Sequence, residues 1–233
     1  MDESGFHFNL QNYIYSMNEP SIRNSIMRKY ISSEKDYKWY GTVFLNDKMS
    51  DEKMNQKLNE SLKKMNTSCI ILMTYAYSYE HNKIHYIATI FDMKKKKLVI
   101  FDPGYNIYKV GSKVLVPCIK KFYTSFSHRL MIFEKNACDG NRFGIQRRRY
   151  INGIMNLDAF CQSWTLFFLH TYIERNQDLS FFEDWCRIHP KYRELFLFQN
   201  FIIPSIQTHK VLRTKYKDLS LFLEKCLMDT IWT

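Results

Sequence analysis

The sequence predicts an α+β fold: a central mixed sheet, the helix that carries Cys161 packed against it, and N- and C-terminal helices around the outside. Three observations carry this expectation. Short β-branched and aromatic runs cluster between residues 69 and 102, a nearly continuous apolar run follows Cys161, and capped or amphipathic helical patterns lie on both sides. With 233 residues, 45% of them hydrophobic, and only 7 Gly and 5 Pro, the chain can bury one sizeable core and is neither disordered nor fibrous. No linker, repeat or low-complexity tract divides it. A single domain over 1–233, with its core at about 40–175, is the expectation.

Residues 1–40 mix Tyr and Ile with short polar segments and show no clear period. Ser50 then caps an amphipathic helix, with Asp51 and Glu52 in its first turn and Met54, Leu58, Leu62 and Met65 on one stripe. A buried strand is expected over 69–77. A β-hairpin follows, its arms at 84–92 and 97–102 and its tip opening on Met93 and Lys94. Pro103-Gly104-Tyr105-Asn106 is a turn, after which 119–126 reads as helical and 130–133 as a strand. Residues 137–157 are polar, basic and Gly-containing and predict a long irregular loop, a kind of segment that is often functional. Asp158 is the expected N-cap of a buried helix that holds Cys161, Trp164, Phe167 and Phe168. Ser180-Phe181-Phe182-Glu183 is a capping-box pattern, Pro190 ends its helix, and 219–227 suggests a final one.

The chemistry centres on Cys161. In the first turn of a helix, free backbone N–H groups and the macrodipole favour a thiolate, although a Cys is equally at home as a small core hydrophobe. His85 and Asp102 separate the two readings. If the hairpin turn is centred between Met93 and Lys94, His85 stands directly opposite Asp102 on one face, with Cβ atoms roughly 5 Å apart. An acid there holds the imidazole tautomer whose other nitrogen can take a proton from a thiol.

Composition narrows the remaining classes. The six Cys, at 69, 118, 138, 161, 186 and 226, contain no Cys-x-x-Cys pair, so neither a zinc site nor a disulfide framework is expected, and no cofactor or metal is implied. The N-terminus lacks a basic region followed by an apolar stretch, and the longest apolar run is too short to span a bilayer. A soluble, cytoplasmic protein with no membrane partner is expected. The formal charge of +11, concentrated partly at 94–97, 120–121 and 147–149, allows weak nucleic-acid contact or an acidic protein partner. The run at the hairpin tip is equally what a solvated turn requires, and no zinc, helix-turn-helix or RNP-like signature accompanies it.

Four local patterns, in order, resemble the superfamily of cysteine proteases that includes the SUMO-specific and adenovirus-type maturation proteases. Phe44-Leu45-Asn46-Asp47 is similar to its Trp-Leu-Asn-Asp opening, His85-Tyr86 to its His-Trp, Ile100-Phe101-Asp102 to the acid ending the next strand, and Phe160-Cys161 to the nucleophile at a helix start. The resemblance spans residues 44 to 169. It implies that Cys161 is the nucleophile, His85 the general base and Asp102 its orienting acid. It also implies cleavage after small-residue, Gly-Gly-like motifs, in viral precursor proteins or at the end of a ubiquitin-like modifier.

Two departures matter. Gln162 replaces the family's usual Gly, and a Phe-Cys-Gln-Ser-Trp version resembles proteins of large cytoplasmic DNA viruses, which would place the protein in the host cytoplasm or the virion. The family's oxyanion-hole Gln, about half a dozen residues before the Cys, has no counterpart here. Gln146 is the first choice, Asn156 the alternative and Gln162 the third. Tyr86 in place of the family's Trp, together with Trp164, is assigned to substrate binding. From a different class, the chain could be a catalytically inactive, protease-like module that holds nucleic acid or an acidic protein.

Overall fold

The computed structural model describes residues 3–31, 36–46, 48–50, 69–79, 83–92, 94–95, 97–104, 131–134, 148–151, 154–157, 160–189 and 192–231, with residues 52, 53, 56, 57 and 60 between them. Strands β1 (Tyr37–Asn46), β2 (Ile70–Tyr79), β3 (Lys83–Asp92), β4 (Lys97–Phe101) and β5 (Met131–Glu134) form one mixed sheet in that order. The outer pairs, β1 with β2 and β4 with β5, are parallel, whereas β2, β3 and β4 form an antiparallel meander. A parallel pair requires a crossover. Within the first crossover residues 52, 53, 56, 57 and 60 are helical and exposed, and the Lys53 N–H reaches Ser50 Oγ at 3.4 Å, the capping role expected of Ser50.

Helix α1 (Glu3–Met17) and helix α2 (Pro20–Ile31) fill the region where the sequence shows no period. Their buried faces mix Tyr13, Met17, Ile22 and Ile26 with Ser16 and Arg23, so polar residues interrupt the apolar stripe that would have marked them. Strand β1 changes register between Trp39 and Thr42, where Gly41 adopts φ +89°, a conformation that favours glycine.

Helix α3 (Cys161–Glu174) is buried at every residue from Cys161 to Ile173, as expected of a helix apolar on all sides. It lies on the sheet face of Leu72, Ala88 and Phe101, and the Phe101 and Phe168 rings stack with centroids 4.3 Å apart. Helix α4 (Ser180–Arg187) covers α3 from outside through Phe181, Phe182 and Trp185, the last stacked on Phe167 at 4.5 Å. Helix α5 (Arg193–Leu197) passes through a π-helical turn (Phe198–Ile202) into α6 (Ile203–Thr208) and α7 (Lys210–Ile231). Helix α7 departs from helical geometry at Tyr216, whose hydroxyl donates to Asn12 O at 2.9 Å and lies 2.7 Å from Ser16 Oγ, tying the two ends of the chain together.

Several expectations are corrected. Part of the segment read as an irregular loop is an antiparallel pair, β6 (Arg148–Ile151) and β7 (Ile154–Leu157), while 137–147 lies outside the described residues, as do 119–126 and Asp158. Helix α3 begins at Cys161 itself behind Phe160, with no side-chain cap. Ser180 is the first residue of α4 and not its cap: the N-cap position is Leu179, which has no side-chain oxygen to offer, and Asp178 before it accepts the Ser180 N–H at 2.8 Å and its hydroxyl at 2.6 Å. The final helix expected over 219–227 lies in the part of α7 beyond the kink at Tyr216, and helical turns from Lys210 precede that kink.

Candidate active site

The hairpin of β3 and β4 sets the site. Ala88 pairs with Phe101 and Asp92 with Lys97, so the tip is the four residues 93–96 and its centre falls one place later than expected. Asp102, one step beyond β4, therefore stands across from Ile87 and not from His85. A slip of this size keeps the side chain on the same face, because successive strand residues alternate. The acid meets the base diagonally: His85 Nε2 lies 2.7 Å from Asp102 Oδ1. The Pro-Gly turn fixes the carboxylate, whose Oδ1 also accepts the Gly104 N–H at 2.9 Å. Both residues are buried, at 1% exposure each.

Cys161 opens α3 against the start of β3. Its thiol lies 3.7 Å from Ile84 O and 3.6 Å from Gln162 Oε1, and it packs in a small cluster with Ala76 and Tyr86. Contact with the strand backbone puts it near residues of both faces, Tyr86 by packing and His85 close enough for charge to act between them. Burial works to lower the His85 pKa, but the charge and hydrogen bond of Asp102, then those of Cys161, outweigh it and push it up to about 10. Imidazolium is thus the favoured form at neutral pH, the counter-ion a thiolate needs. The first intrahelical bond runs from Trp164 N–H to Phe160 O at 2.8 Å, so the N–H groups of Cys161, Gln162 and Ser163 precede the helix ladder.

The other expected residues divide. Tyr86 stands beside the thiol and is fully buried; burial raises its pKa to about 12, so the phenol is neutral. Trp164 is not at the site surface. It has no exposure and packs on Phe167 and Trp185, so it supports α3 from within the core and does not reach a substrate. Gln146 lies outside the described residues, and Asn156 is on β7 opposite Arg149. Gln162 directs its acceptor oxygen at the thiol while its N–H₂ donates to Ile14 O at 3.2 Å, so its amide donor is turned away from Cys161. Sequence reasoning missed Arg23, a fully buried guanidinium bonded to the Tyr86 hydroxyl at 3.1 Å. A lone Arg in a segment without a period carries no signal of such a role.

Among the described residues no cluster of His, Cys, Asp and Glu is placed to hold a metal ion, and no helix is long and apolar enough to cross a membrane. Within the basic hairpin tip, Lys95 is engaged by Gln177 Oε1 at 3.0 Å and Asp92 Oδ2 at 3.7 Å.

No protein-family model matches the chain, and no curated protein matches its sequence. Among solved structures it is similar to the SUMO protease Ulp1 with its catalytic cysteine oxidised to a sulfenic acid, at 13% identity and a TM-score of 0.40, over 85% of this chain and 96% of that one. It is also similar to the central domain of the Legionella pneumophila protein Lpg1148, at 13% identity and a TM-score of 0.34, over 82% of this chain and 89% of that one. The Legionella pneumophila effector RavZ is similar at 11% identity and a TM-score of 0.34, over 83% of this chain and 68% of that one.

Proposed function

We propose that this chain is a cysteine peptidase in which Cys161 is the nucleophile, His85 the general base and Asp102 the residue that orients it. The observation that supports the reading is the buried pair of His85 and Asp102, 2.7 Å apart, close enough to Cys161 at the start of α3 for the charge of each to act on the other. Because Nε2 is taken by the carboxylate, Nδ1 is the nitrogen that receives the thiol proton. The sulfur then attacks the scissile carbonyl carbon, and the oxyanion is met by the Cys161 N–H at the start of α3 and by one side-chain amide, for which Gln146 comes first and Asn156 second. His85 returns the proton to the leaving nitrogen, which departs as an amine and leaves a thioester. Water attacks that thioester, His85 takes a proton from it, and the carboxyl product is released as the thiol re-forms.

The 5% exposure of Cys161, with Tyr86 packed beside it, fits a narrow approach and substrates with small residues ahead of the scissile bond. A protein substrate follows, a viral-type precursor ahead of a ubiquitin-like modifier. A peptide panel with Gly, Ala, Leu or Phe at the two positions before the scissile bond tests the reading, with the Cys161→Ala protein as control. Cleavage of the Gly-Gly member alone, absent in the control, supports it; no cleavage by the parent of any member, or of intact precursor and modifier proteins, would overturn it.

A further inference from the structure

We propose that Arg23 is a positioning residue that decides which acyl groups reach Cys161, by holding Tyr86 against the thiol from the end of helix α1. The inference rests on Cys161 being the nucleophile. Arg23 has no exposure, and among the described residues none of its partners is a carboxylate. Its Nη1 donates to Met17 O at 2.8 Å and to the Tyr86 hydroxyl at 3.1 Å, its Nε donates to Thr42 Oγ1 at 3.1 Å, and Thr42 is in turn 2.7 Å from Thr74 Oγ1. The guanidinium carbon lies 5.1 Å from the Tyr86 ring centroid and 5.5 Å from that of Phe44. Burial lowers its pKa and Tyr86 opposes that, but a guanidinium stays charged.

A buried cation with no counter-ion among the described residues is retained where its fork of donors is needed. Here the fork joins the last carbonyl of α1, at the negative end of the helix dipole, to the phenol beside the nucleophile. The same final turn of α1 holds the other neighbour of the thiol, since Ile14 O accepts the Gln162 amide at 3.2 Å. Phe44, Ala76 and Tyr86 are consecutive partners across β1, β2 and β3, so the row under the guanidinium reaches from the sheet edge to the Ala76 and Tyr86 contact with Cys161. Releasing Tyr86 from Arg23 would widen the approach to the sulfur without touching the triad.

The test is size-selective alkylation of the full chain, comparing iodoacetamide with the bulkier iodoacetanilide, which carries the same warhead, and mapping the label to Cys161 by mass spectrometry. In the parent, Cys161 should react faster than the other five Cys and strongly favour the small reagent. Tyr86→Phe and Arg23→Met should each lower that preference by roughly tenfold, the size expected for one lost charge-assisted hydrogen bond, and the double variant by no more than either single. Arg23→Lys, which keeps the charge but not the fork, should fall between. An unchanged preference in both single variants while Cys161 stays reactive, or losses that multiply in the double variant, would overturn the proposal even if melting temperatures drop. If Arg23→Met does not fold, Tyr86→Phe and Arg23→Lys decide by the same criterion. A parent whose Cys161 reacts no faster than its other cysteines overturns the nucleophile reading itself, and the proposal with it.

Discussion

His85 Nε2 and Asp102 Oδ1 are 2.7 Å apart although the two residues are not cross-strand partners; the contact runs diagonally from the end of β4 and depends on the Asp102–Gly104 turn. An asparagine at 102 would present either a neutral oxygen or an N–H₂ to the same nitrogen. Asp102→Asn should lower kcat at least about a hundredfold and move the alkaline limb of the pH profile to lower pH, because the charge that raises the His85 pKa is gone. Steady-state kinetics across pH 5 to about 10 check this. An unchanged profile would remove Asp102 from the mechanism.

The raised His85 pKa is also a stability relationship. The folded-state value of about 10 lies above the ordinary 6.5, so the native state binds the proton more tightly than the unfolded chain. The resulting stabilisation is fully present below pH 6.5 and is lost as pH rises through about 10. Urea midpoints of the Cys161→Ala protein, in which cleavage cannot interfere, should decline across that window. His85→Gln on the same background should flatten the slope.

Cys161→Ala should abolish peptide cleavage and change stability by only about 1–2 kcal/mol, since one sulfur atom is removed from a small cluster. Denaturant unfolding and a cleavage assay of the same preparation check both halves. Residual turnover at the parent rate would end the assignment.

Gln146→Ala should lower kcat on the order of a hundredfold with little change in KM, the pattern of an interaction made only in the transition state. Asn156→Ala is the comparison. If the loss appears there and not at Gln146, the second amide of the oxyanion hole comes from β7.

Trp164→Ala should destabilise the protein by about 3–5 kcal/mol, as expected for deleting a large ring from a packed aromatic core. The surviving folded fraction should keep the parent's substrate preference, because the ring has no exposure and does not meet the site. Altered preference among the peptide panel, measured at equal folded concentration, would return Trp164 to the substrate-binding set.

Local pattern was enough for the elements whose chemistry is local. The β2 strand and both arms of the hairpin follow from dense β-branched and aromatic runs, and α3 follows from a run too apolar to be anything but buried. Cys161 at a helix start, and His85 and Asp102 on one strand face, needed only spacing and parity, which a two-residue register slip leaves intact. What tertiary structure decided was everything that depends on distant partners. Helices α1 and α2 have no legible period because Ser16 and Arg23, buried among their apolar residues, find partners in Tyr216, Tyr86 and Thr42 far along the chain. Trp164 and Tyr86 are both aromatic and both fully buried, yet only packing places one in the core and the other beside the sulfur. The direction of the Gln162 amide was set by a carbonyl of α1, 148 positions away, and no periodicity within its own helix encodes that choice.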